Sequence, residues 1–581
     1  MGRGVLWKGK YYVIPQAASK VDSSELRQFA FGSDNRVALL AEMVGLLPPK
    51  QPYRVSNAAE ALDLVHPSSA EARLAVGLLF DPAPGSEVPG ASEVYLVPVN
   101  PATQAALMLE DAGTNDVVEL ETYLYGLPAN QVRVKVESGT AAGKKVTITY
   151  QPETEVFDDL AKNSFSIQYT GLGSAAAMTI NLSTGTLAID VTGADDDVSL
   201  SFASFPTVQS LLDALSATGV YTVSALTLSP EADLSAHLDA VSAQDVRTAA
   251  YTHTASLQYL VDTLNTRSAY VSATRQTAAG ALPANMDWTY LSGGATGATA
   301  NQDWQDAFDV LKAWDIQILA PLTSSASIHA MGDSHCDYMS GPDGKSERRQ
   351  FVGGALQTWT SAVNRTAAIA ALKAAALALN SDRTVHAGLG CKLYNESGVS
   401  TLYPAYLTAC AYAGIAAGSS PVEPLTRKFL RVLGLETELQ RAETETLLEN
   451  GLAVPIPAPT GSGYVVARQV TTWLQNDDLY RIEYSIGRGV DFIARTVRAK
   501  HEELIGQPGT EQLDRTIVNL TNGVLQGAKR EGYIRDYDPK ATQIRVEGTI
   551  RYVDYSAIPI MPVNWIFSIY HLKPLSLTVQ L

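Results

Sequence analysis

The sequence is poor in cysteine and contains no long uninterrupted hydrophobic segment. Its three cysteines, Cys336, Cys391 and Cys410, form no CxxC pair, which argues against a disulfide framework and favours a reducing compartment. The segment MGRGVLWKGKYYVIP has basic residues but lacks the apolar core of a secretory signal. The runs TAAIAALKAAALAL and YLTACAYAGIAAG are shorter than the ~20 residues that span a bilayer. We therefore expect a protein made in the cytoplasm, without membrane insertion.

Familiar catalytic patterns are also missing. The eight histidines form no HxH, HExxH or HxxxH cluster, and the sequence has neither a GxSxG elbow nor a GxGxxG turn after a strand. Cys391 follows glycines, as some nucleophiles do, but it has no local partner motif and is interpreted as a structural thiol. Asp195–Asp197 lack the spacing of a calcium loop and are interpreted as a solvated turn. We predict no catalytic, metal-binding or cofactor-binding residue, and hence no enzyme.

The stretch MGDSHCDYMSGPDGKS, residues 331–346, is the part of the sequence that most resembles a site of chemistry. Its glycine-lysine-serine is not a phosphate loop, because Met339 stands where the first glycine is required. Asp333, His335 and Asp337 would share a face only on a strand, whereas apolar residues three and four apart predict a helix here. We therefore predict that His335 is a hydrogen-bonded core histidine, and that GPDGKSERR is a turn and a solvated loop.

The chain is acidic, with 43 Lys and Arg against 60 Asp and Glu and a formal net charge of −17. Such a charge repels polyanions, so nucleic acid is not expected as a direct partner. The last 121 residues differ, with 14 Lys and Arg against 13 Asp and Glu. Arg495, Arg498 and Lys500 are close together in a helix predicted there. They form either a binding surface or a solvated basic face.

Hydrophobic patterning predicts a multidomain α+β and α/β protein. Residues 1–20 contain strand formers but no domain pattern and are predicted to be an N-terminal arm. Residues 21–104, with a predicted helix RVALLAEMVGLL and strand EVYLVPVN, and residues 286–455, with alternating helices and strands, are assigned to one α/β core domain. Between them, residues 105–285 contain short alternating runs such as VRVKV, KVTITY and FSIQY, which predict an inserted antiparallel β domain that protrudes.

The remaining sequence predicts a C-terminal domain and a second arm. VPIPAPTGSG, residues 454–463, is typical of a connector. Two helices, at about 481–505 and 512–530, and a β-rich tail follow it. Residues 456–555 are assigned to the C-terminal domain and residues 556–581 to the C-terminal arm.

Both arms are rich in large hydrophobic residues, yet neither has an evident hairpin partner. An unpaired hydrophobic strand is a liability that proteins normally suppress, so its presence favours strand addition to a neighbouring subunit. Repeated head-to-tail donation that does not close produces a helical filament. The alternative is that the two ends pair within one chain. The predicted inter-subunit strand residues are Val5, Trp7, Tyr11, Val13, Trp565, Phe567, Ile569 and Tyr570.

Several segments resemble the sheath subunits of contractile phage tails and related contractile injection machines. The resemblance covers about two-thirds of the chain and does not include the β-rich insert. The segments that carry it are YRVSNAAEALDLV, YLSGGATGA, WQDAFDVLKAWDIQILAPL, SIHAMGDSHCDYMSGPDGKSERRQFVGG, AYLTACAYAGIAAGSSPVEPLTRKFLRV and YRIEYSIGRGVDFIARTVRAKHEELIGQP.

This resemblance implies a structural subunit that polymerises helically around an inner tail tube and contracts to drive the tube through the host envelope. It implies that the arms add strands to the C-terminal domains of neighbouring copies and that Arg495, Arg498 and Lys500 face the tube. The implied partners are copies of the same chain, the inner tail tube protein, and baseplate and tail terminator proteins. The implied location is the virion, with assembly in the host cytoplasm and no cofactor.

Two other interpretations remain open from the sequence. One is another self-assembling protein, such as a bacterial injection-system sheath, a shell or an S-layer-like subunit. The other is binding to a host surface through the β-rich insert. A soluble hydrolase has the least support.

Overall fold

The computed structural model describes residues 5–7, 10–12, 35–85, 88–459 and 461–572. The chain divides into two compact units. The larger unit consists of Asn35–Ser420 and Leu425–Asp478. The described parts of the smaller unit are residues 5–7, 10–12, 421–424 and 479–572.

The strands of the N-terminal half of the chain are, in chain order, β1 (Val5–Trp7), β2 (Lys10–Tyr12), β3 (Arg36–Ala41), β4 (Tyr53–Val55), β5 (Glu93–Pro98), β6 (Gln104–Glu110), β7 (Asp116–Tyr125), β8 (Arg133–Ser138), β9 (Lys144–Tyr150), β10 (Glu153–Leu160), β11 (Asn163–Tyr169), β12 (Ala175–Asn181), β13 (Thr186–Thr192), β14 (Val198–Ser201), β15 (Tyr221–Ala225), β16 (Val241–Asp245), β17 (Tyr251–Thr254), β18 (Val271–Arg275) and β19 (Met286–Tyr290). The strands that follow are β20 (Ile318–Pro321), β21 (Arg349–Gly353), β22 (Thr384–Ala387), β23 (Cys391–Tyr394), β24 (Ser400–Tyr403), β25 (Phe429–Leu430), β26 (Gly434–Leu435), β27 (Leu452–Ala453), β28 (Pro455–Pro457), β29 (Tyr464–Val466), β30 (Ile534–Tyr537), β31 (Gln543–Glu547), β32 (Ile550–Asp554) and β33 (Ala557–Pro559).

The α-helices of the described residues are α1 (Ala58–Leu64), α2 (Ala70–Phe80), α3 (Val208–Ala217), α4 (Ser256–Arg267), α5 (Asn301–Leu311), α6 (Ala326–Ser340), α7 (Ala362–Leu379), α8 (Ala405–Gly418), α9 (Arg441–Glu449), α10 (Leu479–Ile482), α11 (Tyr484–Glu502) and α12 (Glu511–Arg530).

A seven-stranded sheet forms the centre of the larger unit, in the order β27-β22-β21-β20-β3-β5-β4. Its neighbours are parallel except for the antiparallel pair of β4 and β5. The predicted helix RVALLAEMVGLL is wrong, since its first six residues are the central strand β3, of which five are fully buried. A parallel strand buried on both faces shows no alternation, so its apolar run has the same appearance as a buried helix.

Helices cover this sheet through small and apolar residues. α5 and α6 form a common core with Ala38, Leu40, Tyr95 and Val97 of the sheet. α8 packs against α2 and the central strands, and every residue from 405 to 417 of α8 is buried. Its composition of alanine, glycine and a few larger apolar residues is therefore explained by burial on all sides.

The β-rich segment between β6 and β19 contains four antiparallel sheets, as the alternating runs predict. Their strand orders are β18-β7-β6, β10-β9-β8-β19, β15-β11-β17 and β14-β13-β12-β16. Two hydrophobic cores serve them. One lies between residues 105–160 and 257–291, and the other lies within residues 165–246. The insert therefore has a second β body nested inside the first.

The segment VPIPAPTGSG is not a connector. Its first part forms β28, which pairs with β29, and β29 pairs in turn with β25. This sheet belongs to the larger unit, which extends to Asp478. The compact smaller unit thus begins again at Leu479, whereas the predicted C-terminal domain begins at residue 456.

The smaller unit contains the two long helices that the sequence predicts at its C-terminal end. α11 and α12 share a core with Ile534 and the ring of Tyr533, formed by Phe492, Val497, Val524 and Leu525 among others. β30 pairs with β33, and β31 pairs with β32. Residues 560–572, which follow β33, adopt neither helix nor strand.

Candidate assembly surfaces

The stretch 331–346 is built into the core. His335 lies on α6, is 5% exposed, and accepts a hydrogen bond of 2.9 Å at Nε2 from Nη1 of Arg348. Burial, followed by the charge of Arg348, lowers the pKa of His335 to about 3. The ring is therefore neutral and its Nε2 is an acceptor. The prediction of a hydrogen-bonded core histidine is confirmed.

The predicted solvated loop GPDGKSERR is wrong at its end. Glu347, Arg348 and Arg349 are each less than 10% exposed. The Arg348 guanidinium donates to the carbonyl oxygens of Leu311 (2.9 Å) and Trp314, in the last turn of α5 and just beyond it. Free carbonyls at a helix end carry partial negative charge, so a buried cation is stabilised there. Arg348 thus links α5 to α6.

The other polar side chains of this region also bind neighbouring core groups. Asp333 accepts a 2.6 Å hydrogen bond from Thr384 Oγ1, and burial raises its pKa. Gln350 Nε2 donates to the same Thr384 oxygen and to the carbonyl of His329, both at 2.8 Å. Among the described residues, no group of three or more His, Cys, Asp and Glu side chains could hold a metal ion. The network joins α6 to β21 and β22.

The cysteines and the acidic turn 195–197, which were the other candidate sites, have structural roles. All three cysteines are buried as free thiols, and burial raises the pKa of Cys391 to about 11. In the turn 195–197, Asp197 accepts a 2.7 Å hydrogen bond from the Val191 backbone, and Asp196 accepts one from the Tyr169 hydroxyl. These carboxylates therefore fix the turn that follows β13.

Among the described residues of the smaller unit, the C-terminal arm presents the most exposed apolar surface. Trp565, Phe567, Ile569 and Tyr570 are between 66% and 91% exposed. From residue 555 to residue 572 the sequence has no Asp, Glu, Lys or Arg. Contiguous exposed apolar segments of this kind are uncommon on the surfaces of monomeric soluble proteins. The start of the arm is tied to its own unit by β33, which pairs with β30, and a 2.9 Å hydrogen bond from Asn564 to Glu483 holds the arm further along.

The N-terminal arm contains a hairpin, whereas the sequence predicts a strand without a partner in its own arm. β1 and β2 form an antiparallel hairpin in which Val5 pairs with Tyr12, and Trp7 with Lys10. The statement that this arm lacks its own hairpin partner is therefore wrong for Val5, Trp7 and Tyr11. Val13 lies outside the described residues. Only two residues separate the strands, a loop length that is common in hairpins.

The three basic residues lie on one helix, as the sequence predicts, but they do not share one face of it. Arg495, Arg498 and Lys500 all lie on α11 and are half-buried. Arg495 and Arg498, three residues apart, lie on neighbouring parts of the helix surface, whereas Lys500 points elsewhere. Lys500 forms an ion pair of 2.5 Å with Glu503.

A surface groove of about 970 Å³ in the larger unit is a feature that sequence reasoning missed. Leu74 and Leu78 of α2 line one side of it, and Phe429 and Leu433 are among its other apolar residues. Its charged rim is neutralised by the ion pairs of Arg73 with Glu396 and of Arg431 with Asp81. These residues are brought together from distant parts of the chain, so no local pattern marks the groove.

Sequence comparison with known proteins finds relatives that cover nearly the whole chain. No family model matches the chain. The tail sheath protein of Bacillus phage SP01 is 27% identical over 591 residues, covering 98% of this chain and 97% of that protein. The tail sheath protein of Staphylococcus phage Twort is 23% identical, covering 94% of each. The chain is similar to phage tail sheath proteins over nearly its whole length.

The structure agrees with this relationship. The crystal structure of a sheath tail protein from Desulfitobacterium hafniense superposes with a TM-score of 0.55, over 94% of this chain and 96% of that one, at 11% identity. The mixed α and β multidomain fold is thus that of tail sheath proteins. Since the phage relatives cover nearly the whole chain, the likeness includes the β-rich insert, which the sequence resemblance had left out.

Proposed function

We infer that this chain is a structural subunit of a phage tail sheath and a component of the virion. The observation that carries this conclusion is the near full-length similarity to tail sheath proteins of two phages. The buried positions of His335, Arg348 and Cys391 are consistent with a structural role, since each of these groups lies in the core.

In this role the chain polymerises helically with copies of itself around an inner tail tube. The C-terminal arm supports this proposal, because its uncharged segment 555–572 leaves large apolar side chains exposed in a single copy. Added to the sheet of a neighbouring subunit, such a segment gains main-chain hydrogen bonds and buries those side chains. The hairpin of β1 and β2 offers two further strand edges for the same purpose.

The sheath contracts to drive the tube through the host envelope, and the energy comes from burial of surface between subunits. An additional 300 Å² of apolar area per subunit would contribute about 7 kcal/mol. The arms keep neighbouring copies at high effective concentration while their bodies dock anew. The helix α11 faces the tube, with Arg495 and Arg498 on one part of its surface and Lys500 on another. The ends of the polymer meet the baseplate and a tail terminator protein.

Electron microscopy of the full-length chain and of a chain lacking residues 1–20 tests this function. Both are examined after concentration alone and after co-expression with the tail tube protein. We expect striated hollow tubes from the full-length chain and their loss on deletion of the arm. Discrete particles from the full-length chain under both conditions would contradict the proposed function.

A further inference from the structure

The outward side of α7 is apolar and exposed. It is formed by Val363, Ala367, Ala370, Ala374 and Leu377, which we call the outer face of α7. Val363 and Leu377, near its two ends, are 78% and 61% exposed, and the three alanines between them are exposed as well. Among the described residues, α7 is the one helix with the length and apolar composition of a membrane span.

The spacing of these five residues predicts the kind of surface that covers them. They follow one another at intervals of four, three, four and three residues, which is the repeat by which one α-helix packs along another. Small side chains in the middle allow a partner to approach closely, and the larger side chains at the two ends can contact it beyond the alanines. The face is therefore suited to a rigid, apolar protein surface.

The opposite side of α7 holds the helix in the larger unit, so a membrane is not the partner. Leu372 and Ala376 pack with Leu447, Leu452 and Val454 in one hydrophobic core. Arg365 forms an ion pair with Glu443, with hydrogen bonds of 2.5 and 2.8 Å. The Ser361 side chain caps the first turn. Insertion of α7 into lipid would break all of these contacts, whereas docking of another protein on the outer face leaves them intact.

Charge favours a second copy of this chain as the occupant. Copies with a net charge of −17 repel one another. The only charged residues of α7, Arg365 and Lys373, are both basic. Glu443 compensates the charge of Arg365, so Lys373 is the basic neighbour of an otherwise uncharged surface. Another acidic copy is repelled less here than at an acidic surface.

We propose that the outer face of α7 docks on a neighbouring copy of this chain in the assembled sheath. This proposal rests on the proposed function. A helix of 18 residues is about 27 Å long, and one such contact buries much less than the roughly 1,200 Å² of a stable interface. It therefore does not hold a dimer in solution and forms when the arms keep copies together. In a head-to-tail polymer the outer face meets a different surface of the neighbour.

Glutamates on the outer face provide the test. The double variant Ala370→Glu with Ala374→Glu adds buried charge to the contact and retains helix propensity. The matched control is the double variant Ala330→Glu with Ser334→Glu, at two exposed positions of α6 that are also four residues apart. The full-length chains are co-expressed with the tail tube protein, checked by circular dichroism, and their tubes are counted by electron microscopy. We expect at least a tenfold loss of tubes for the double variant and none for the control.

The outcomes separate this inference from the function on which it rests. Equal tube yields from the double variant and the unaltered chain would overturn the docking role and leave the sheath function standing. Absence of tubes from the unaltered chain would overturn both. A second measurement uses Ala374→Cys labelled with a benzophenone maleimide. Irradiation should join two copies of this chain in tubes and not in the unassembled protein, and cross-links only to another protein would overturn the proposal.

Discussion

Arg348 donates a 2.9 Å hydrogen bond to Nε2 of His335, and both side chains are buried. The guanidinium has no acceptor atom and is always charged, so the imidazole must be neutral to accept this bond. A protonated ring would place two cations in contact in the core. The pair therefore makes the stability of the larger unit sensitive to acid.

We predict that the free energy of unfolding decreases as the pH falls from 6.5 towards 3. The pKa of His335 is about 3 in the folded chain and about 6.5 in the unfolded chain. Between these values only the unfolded chain binds the proton, so acid favours unfolding. One such group contributes a slope of about 1.4 kcal/mol per pH unit within that window. His335→Gln keeps an acceptor for Arg348 and should give a shallower slope in urea unfolding at several pH values.

The control for this experiment is His571→Gln, because His571 is exposed on the C-terminal arm. Its slope should equal that of the unaltered chain. Burial also lowers the pKa values of His386 and His253 to about 4, so some acid sensitivity should remain in His335→Gln. If His335→Gln leaves the slope unchanged, protonation of His335 is not a cause of the acid sensitivity.

The sequence predicted the elements whose pattern is local. The periodicity of residues 325–339 gave α6 and the burial of His335, and alternation gave the strands of the insert. The sequence does not predict the burial of a residue whose partners are distant in the chain. The carbonyls that bind Arg348 belong to Leu311 at the end of α5 and to Trp314 just after that helix. Nothing near Arg348 in the sequence marks these partners, so the local pattern predicts a solvated residue. The β3 strand was missed because burial on both faces removes alternation.

The close contact of α8 with α2 depends on Gly414. A Cβ on Gly414 would collide with the carbonyl oxygen of Leu78 and lie 2.9 Å from that of Leu79. Gly414→Ala must push the two helices apart, so we predict a loss of about 1–3 kcal/mol in the free energy of unfolding, measured with urea.

Gly77 supplies the matched control, since it lies on α2 itself and a Cβ there would meet no atom within 4 Å. Gly77→Ala should stabilise the chain by up to about 1 kcal/mol, because alanine is the better helix former. Stabilisation by both substitutions would show that helix propensity, and not the close contact, determines the result.

The exposed side chains of the C-terminal arm should matter for assembly and not for folding. Phe567 and Ile569 are 91% and 80% exposed, so replacing both with serine removes little burial from a single copy. We expect an unchanged thermal unfolding midpoint and a large loss of tubes in electron microscopy. Leu172→Ser, at a 97% exposed position in the insert, is the control and should assemble normally. Assembly of both variants at the normal level would exclude the arm from the contact.

The proposed tube-facing role of α11 can be tested at Lys500, whose ion pair with Glu503 is at the surface. Lys500→Glu should cost less than about 1 kcal/mol of folding stability, since surface pairs contribute little. If the helix faces an acidic tube, the variant should co-sediment with tail tubes several-fold less at low salt, and the difference should shrink at high salt because exposed charges are screened.

Lys529→Glu makes the same charge change on α12, where Lys529 pairs with Asp536 at 2.8 Å, and should bind tubes normally. Equal losses from the two variants would point to net charge as the cause, and no loss from either would remove Lys500 from the tube-facing surface.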